Sequence, residues 1–189
     1  MTLDILMVGV GGQGIVLASN ILCDTVLKED LDVKKSEIHG MAQRGGSVVS
    51  HIRIGSKVYS PVISVNSADF IVSFEKMEYL RYLDFVKDST VLILSKNKLY
   101  PPGVAAGEEE YPNDLIVKNK KLFRNVYVLD ANKIAENAGN IKVGSMALLG
   151  KLASLLPFKK MIWEETILRS VPEKTVDNNL AAFLTGFNS

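Results

Sequence analysis

The segment Gly9-Val10-Gly11-Gly12-Gln13-Gly14 fits G-x-G-x-x-G, between an apolar run and a stretch of helical period. Glycines at this spacing allow a tight turn and close backbone approach. The start of the following helix then offers N–H groups and a positive dipole end to an anion such as a phosphate. The same glycines could equally serve only to pack helix against strand. A triphosphate site is excluded, because the positions that a P-loop reserves for lysine and a hydroxyl hold Ile15 and Val16. About 20 residues on, where a dinucleotide site places an acid for the ribose, the chain reads Asp32-Val33-Lys34-Lys35. A nicotinamide cofactor is thereby disfavoured. Either lysine would suit a phosphorylated ribose, and solvated strand-end lysines are the plainer alternative.

A second concentration of chemistry is Glu37, His39, Gln43 and Arg44, in a glycine-punctuated stretch, residues 36–47, that reads as a loop. Loops fixed by glycine turns commonly present binding groups. His39 could be an acid, a base or a phosphate ligand and Arg44 an anion clamp; alternatively Glu37 pairs with Arg44 and His39 is a structural hydrogen-bonding group. Cys23 lies well inside a predicted helix, as an inert core or subunit-contact thiol. One cysteine and two histidines, His39 and His51, cannot make an internal disulfide, an iron-sulfur cluster or a histidine-pair metal motif. No metal is expected.

The elements that must position these residues follow from periodicity. Strands are predicted at residues 3–8, 31–35, 48–54, 70–74, 90–94 and 125–129, with Gly55-Ser56 turning a hairpin into residues 57–60. Helices are predicted at residues 15–28, 131–138, 145–156, 160–170 and 175–187. Another is predicted after residue 74, with Glu75, Glu78, Arg81 and Asp84 on its outer face. Residues 100–113 read as a surface excursion, and Asn178 and Asn179 as caps or interface groups. The expected fold is a three-layer α/β/α sandwich with a Rossmann-like start, a mixed sheet containing a β-hairpin, and a helical C-terminus.

At 189 residues and 47% hydrophobic, the chain is expected to form one soluble domain, residues 1–189. A net charge of +1 gives no reason to expect nucleic acid, and no apolar run is long enough for a membrane span. Asp4 within the first apolar run argues against a signal peptide, so a cytoplasmic location is expected. The helices beginning near Ile15 and Ser145 carry more apolar surface than one sheet contact uses, which predicts a partner subunit.

Two strings together carry a family resemblance: Val8-Gly9-Val10-Gly11-Gly12-Gln13-Gly14-Ile15, and Ser36-Glu37-Ile38-His39-Gly40-Met41-Ala42-Gln43-Arg44-Gly45-Gly46-Ser47 with its continuation to His51. They resemble the gamma-type domain of 2-oxoacid:ferredoxin oxidoreductases, and the second string is most similar to the branch that serves indolepyruvate. The likeness extends through Lys57-Val58-Tyr59-Ser60-Pro61 and Val128-Leu129-Asp130-Ala131 to the closing Asn179-Leu180-Ala181-Ala182-Phe183-Leu184-Thr185-Gly186. One departure is Val143-Gly144-Ser145, where the family pattern leads one to expect asparagine before the apolar helix. The resemblance implies a heteromeric enzyme that oxidatively decarboxylates aryl pyruvates to aryl-acetyl-CoA and reduces ferredoxin. It also implies that thiamine diphosphate and iron-sulfur clusters sit in a large alpha subunit. The chain would then hold no cofactor tightly, facing that subunit through Glu37, His39, Gln43 and Arg44 and contacting coenzyme A through Gly9, Gly11, Gly12, Gln13 and Gly14. A gamma chain for another 2-oxoacid such as pyruvate, and a stand-alone nucleotide-binding module, are the competing readings.

Overall fold

The computed structural model describes residues 2–40, 46–100, 102–108, 110–111 and 119–189. Its centre is β1 (Leu3–Val10), which turns Ile5 and Met7 to one face of the sheet and Leu6 and Val8 to the other. A near-continuous apolar run is what a strand covered on both faces requires. Around it lie β2 (Asp32–His39), β3 (Ser47–Gly55), β4 (Ala68–Ser73), β5 (Val86–Ser95) and β6 (Asn125–Leu129), in the order β2-β3-β1-β4-β5-β6. β1, β4, β5 and β6 run parallel, whereas β3 is antiparallel to both β1 and β2. The sheet is therefore mixed, and the chain departs from β1 and β4 in opposite directions, making the β1 end a topological switch point.

The hairpin is not where the turn residues placed it. Residues 36–39 continue β2 instead of opening a loop, pairing Glu37 with Ser50 and His39 with Val48, and the Gly40 N–H donates to Ser47 O at 2.8 Å to close the ladder. The alternating pattern of β3 supplied a template that the polar composition of residues 36–39 concealed. After Gly55 the chain leaves the sheet, and the Val58 N–H donates to the Asp32 carboxylate at 2.8 Å.

One face is covered by α1 (Ile15–Leu27), α2 (Ala131–Asn137), α3 (Gly144–Leu155), α4 (Lys160–Ser170) and α5 (Val176–Phe187). α1 is indeed covered on two sides, by the sheet and by α4, where Lys28 Nζ donates to the Thr166 hydroxyl at 2.9 Å. The surplus apolar surface of α3 is consumed within the chain, not by a partner: Leu148, Leu149 and Leu152 are buried, each contributing about 1.5–3 kcal/mol. α5 comes so near that a Cβ on Gly186 would stand 1.9 Å from Ala147 O, and one on Gly150 2.0 Å from Phe183 O. Trp163 is fully buried between the rings of Phe158 and Phe183. Asn178 and Asn179 do not cap α5; their side-chain amides donate to Ala138 O and Thr175 O.

The opposite face is covered by a thinner third layer, the 3-10 segment Glu78–Phe85, which packs Tyr79, Leu80 and Leu83 over Leu6, Ile71 and Leu92. The expected α-helix does not form, and the helical turns break at Tyr82 (φ −122, ψ 21). Its expected outer face fails first at Glu75, which is only 2% exposed. The Glu75 carboxylate accepts from the N–H groups of Met77, Glu78 and Leu99 and from the Tyr111 hydroxyl. Glu78 also turns inward, accepting from the Ser47 hydroxyl at 2.7 Å, while Arg81 and Asp84 do face outward. In the expected excursion, a single helical turn, Pro102–Ala105, and buried Tyr111 are described. Pro101, Glu109, Pro112 and Asn113 lie outside the described residues.

Candidate functional site

The glycine loop is tied down by its own residues. Gly12 and Gly14 have φ of +94° and +79°, a region that side chains avoid. Gly9 leaves no room for a β-carbon, which would meet Phe74 Cβ at 2.8 Å. Gln13 Oε1 accepts from the Val10 N–H at 2.8 Å, and the Gly11 N–H donates to Gly46 O at 2.9 Å. Gly9, Gln13 and Gly14 thus shape the turn, while the Gly11-Gly12 edge faces outward between two cavities.

The larger cavity, about 910 Å³, lies over the start of α1 and brings Gly11, Gly12, Gly14 and Val16 together with His39 and Val48. The two sequence motifs therefore share one rim, the glycine loop from one side and the end of β2 from the other. His39 Nε2 lies 3.5 Å from Glu37 Oε2. Glu37 itself turns toward α1, with Oε1 2.6 Å from Lys35 Nζ and 3.2 Å from the Ser19 hydroxyl. Burial alone would raise the Glu37 carboxyl, but the hydrogen bond and charge of Lys35, with Ser19 and His39, outweigh it and hold the group below the usual carboxylate range. Lys35 also bonds Asn20 and is held against α1, whereas Lys34 is an exposed strand-end lysine that pairs with Asp32. Among the described residues, Glu37 is met by Lys35, Ser19 and His39; Gln43 and Arg44 lie outside the described residues.

The smaller cavity, about 300 Å³, opens at the carboxyl ends of β1, β4, β5 and β6, where open α/β sheets bind ligands. Gln13, Lys98, Asn132, Lys142 and Ser145 are among its lining. In the sequence Ser145 stands out only through the Val143-Gly144-Ser145 departure, and Lys142 does not stand out. The available signal was Asn140, whose side chain accepts from the Lys142 N–H and marks a helix start immediately before Gly144-Ser145.

The described residues do not fit an iron-sulfur centre. Cys23 is half-buried, and burial chiefly pushes its thiol up to about 11, away from the thiolate a metal needs. Among the described residues, no group of three or more His, Cys, Asp or Glu could hold a metal ion, and no helix is long and apolar enough to cross a membrane.

A six-stranded mixed sheet with a glycine turn at its switch point and a helical C-terminus is the fold of solved gamma subunits of oxoacid ferredoxin oxidoreductases. Residues 4–189 match the pyruvate ferredoxin/flavodoxin oxidoreductase family, and the chain belongs to that family. It is 39% identical, over all of this chain and 95% of the relative, to the indolepyruvate oxidoreductase subunit IorB of Archaeoglobus fulgidus. Among solved structures, it is similar to the gamma subunit of a keto/oxoacid ferredoxin oxidoreductase from Geobacter sulfurreducens, with a TM-score of 0.71 and 21% identity over 98% of this chain and 96% of that one. It also matches 30% of a chain of 2-oxoglutarate:ferredoxin oxidoreductase from Magnetococcus marinus, with a TM-score of 0.74 and 20% identity over 98% of this chain. The chain is the small subunit of a heteromeric 2-oxoacid ferredoxin oxidoreductase.

Proposed function

We propose that the enzyme this subunit serves oxidatively decarboxylates indolepyruvate and related aryl pyruvates to aryl-acetyl-CoA in the cytoplasm, passing two electrons to ferredoxin. The carrying observation is the full-length likeness to an indolepyruvate oxidoreductase subunit at 39% identity, against 27% to the 2-oxoglutarate synthase subunit KorC of Methanocaldococcus jannaschii. Thiamine diphosphate and the iron-sulfur clusters belong to a large alpha subunit. A lone cysteine supports that division, since no cluster can be ligated by one thiolate.

The rim joining Gly11 and Gly12 to His39 faces the alpha subunit near its active site and contacts coenzyme A. Gln43 and Arg44, which follow His39 in the sequence, take part in the same contact. Gly9, Gln13, Gly14 and Glu37 hold it in shape, as their internal contacts support. A stand-alone nucleotide-binding module is disfavoured because Lys35, the lysine best placed for a ribose phosphate, is committed to Glu37.

Purification of the chain from its native source, with mass, iron and thiamine diphosphate analysis of what accompanies it, tests the division of labour. A larger iron-sulfur partner carrying thiamine diphosphate is the expected result. Robust oxidoreductase activity from the isolated chain would overturn it.

A further inference from the structure

Glu78, in the third layer, is a buried carboxylate to which the proposed function gives no task. A buried charge is costly unless it is paired and hydrogen-bonded. Its one ion pair among the described residues is with Arg81, whose Nε donates to Oε1 at 3.2 Å. The Arg81 side chain is 67% exposed, and solvated pairs of this kind contribute little. The other oxygen, Oε2, accepts from the Ser47 hydroxyl of the sheet at 2.7 Å, a charge-assisted bond of the stronger sort. Elsewhere the same segment meets the sheet through Tyr79, Leu80 and Leu83. At Glu78 a polar tie stands where an apolar contact would serve packing as well.

Ser47 stands where the two sequence motifs meet. It opens β3 opposite Val10, the last residue of β1. Its carbonyl accepts from the Gly40 N–H at 2.8 Å, and the carbonyl of Gly46 before it accepts from the Gly11 N–H at 2.9 Å. Val48, after it, pairs with His39. Val10, Gly11, His39 and Val48 all line the larger cavity, so Ser47 is tied to both sides of the rim. Glu78 is fixed in turn, its N–H donating to Glu75 Oε2 at 3.1 Å. The Glu75 carboxylate also accepts from the Leu99 N–H and the Tyr111 hydroxyl. A chain of contacts thus runs from Glu75 through Glu78 and Ser47 to the rim, across the thickness of the sheet.

We infer that Glu78 is a positioning residue for the rim: through the Ser47 hydroxyl it fixes the start of β3, and with it the placement of Gly11 relative to His39. Glu78 lines neither cavity beside the glycine loop, so it acts through Ser47 and touches no ligand there. The inference rests on the proposed contact of the rim with coenzyme A, and it does not depend on which 2-oxoacid is oxidised.

The test is steady-state kinetics of the complex reconstituted with the larger subunit, on whichever 2-oxoacid the parent complex oxidises. A displaced rim loses binding that ground state and transition state share, which raises KM and spares kcat. Glu78→Ala and Ser47→Ala should each raise the KM for coenzyme A about five-fold, the equivalent of one ordinary hydrogen bond. kcat and the KM for the 2-oxoacid should stay within about two-fold. The double variant should be no worse than either single one, because both remove the same bond. Glu78→Gln, which keeps an acceptor for the Ser47 hydroxyl, should recover most of the loss, and Arg81→Ala should leave the coenzyme A KM unchanged. A brace that merely stabilised the fold would lower kcat through loss of active complex and leave KM alone. That result, additive losses, or an unchanged coenzyme A KM in both single variants would overturn the inference. If Glu78→Ala does not assemble, Ser47→Ala and Glu78→Gln decide the matter by the same criteria. His39→Ala separates the two levels: a raised coenzyme A KM there, with none in Ser47→Ala, sinks the brace and leaves the rim standing. An unchanged KM in all three sinks the rim assignment as well.

Discussion

A β-carbon on Gly14 would lie 2.6 Å from the Ser145 hydroxyl oxygen and 3.0 Å from its Cβ. The glycine loop and the start of α3 are therefore in direct contact although they are far apart in sequence. Gly14→Ala should strain the backbone at φ +79° and push Ser145 off its position. Gly12→Ala, at φ +94° with nothing within 4 Å of the added carbon, brings the backbone strain alone. The left-handed conformation costs about 1–2 kcal/mol in each case. Urea unfolding should show Gly14→Ala to be the more destabilised of the two, and equal losses would mean that the Ser145 contact contributes nothing.

The crossing of α3 and α5 should be intolerant of a single methyl group. Gly186→Ala places a carbon 1.9 Å from Ala147 O, so the helices must separate and the packing around Phe183 and Trp163 opens. A loss of about 3 kcal/mol or more is expected, at or above the upper end for overpacked cores. Thermal melts of the variant and the parent check this.

Stability should fall on acidification in two stages. Burial holds His51 below its ordinary value of about 6.5. The unfolded chain then takes up the proton first, and stability begins to drop as pH falls below that value. Glu37, held low in the fold chiefly by Lys35 against the opposing effect of burial, contributes stability above the ordinary carboxylate value of about 4.3. That contribution is lost as pH falls through its lower folded value. Urea midpoints from pH 8 to 3 should decline, and His51→Asn, which keeps an acceptor for the Ile63 N–H, should flatten the first stage.

His39 and Glu37 should separate by function. The His39 side chain is 56% exposed, so His39→Ala should change stability by less than about 0.5 kcal/mol, as surface changes usually do, while lowering activity of the assembled enzyme. Glu37→Gln breaks the Lys35 pair, whose side chains are 22% and 19% exposed, at a cost on the order of 1 kcal/mol. A double-mutant cycle with Lys35→Met measures the coupling. Full activity of His39→Ala in the complex would remove this rim from the functional account.

Much of the fold was legible because apolar period is a direct signal: β1, α1 and β6 lie within a few residues of their expected positions. What escaped was set by long-range partners. Glu75 looked like a surface residue until Tyr111 and the Leu99 N–H came to it from distant segments. Residues 36–39 looked like loop because their polarity suits an edge strand whose only neighbour is β3. The glycine loop was found by its spacing, and His39 by its neighbours in sequence.

The most direct test of the central claim is the activity of the reconstituted complex with indolepyruvate, phenylpyruvate and pyruvate, in the presence of coenzyme A and ferredoxin. The expected result is coenzyme A-dependent ferredoxin reduction with a kcat/KM highest for indolepyruvate, and none from this chain alone. A clear preference for pyruvate, or activity that does not need this subunit, would contradict the account.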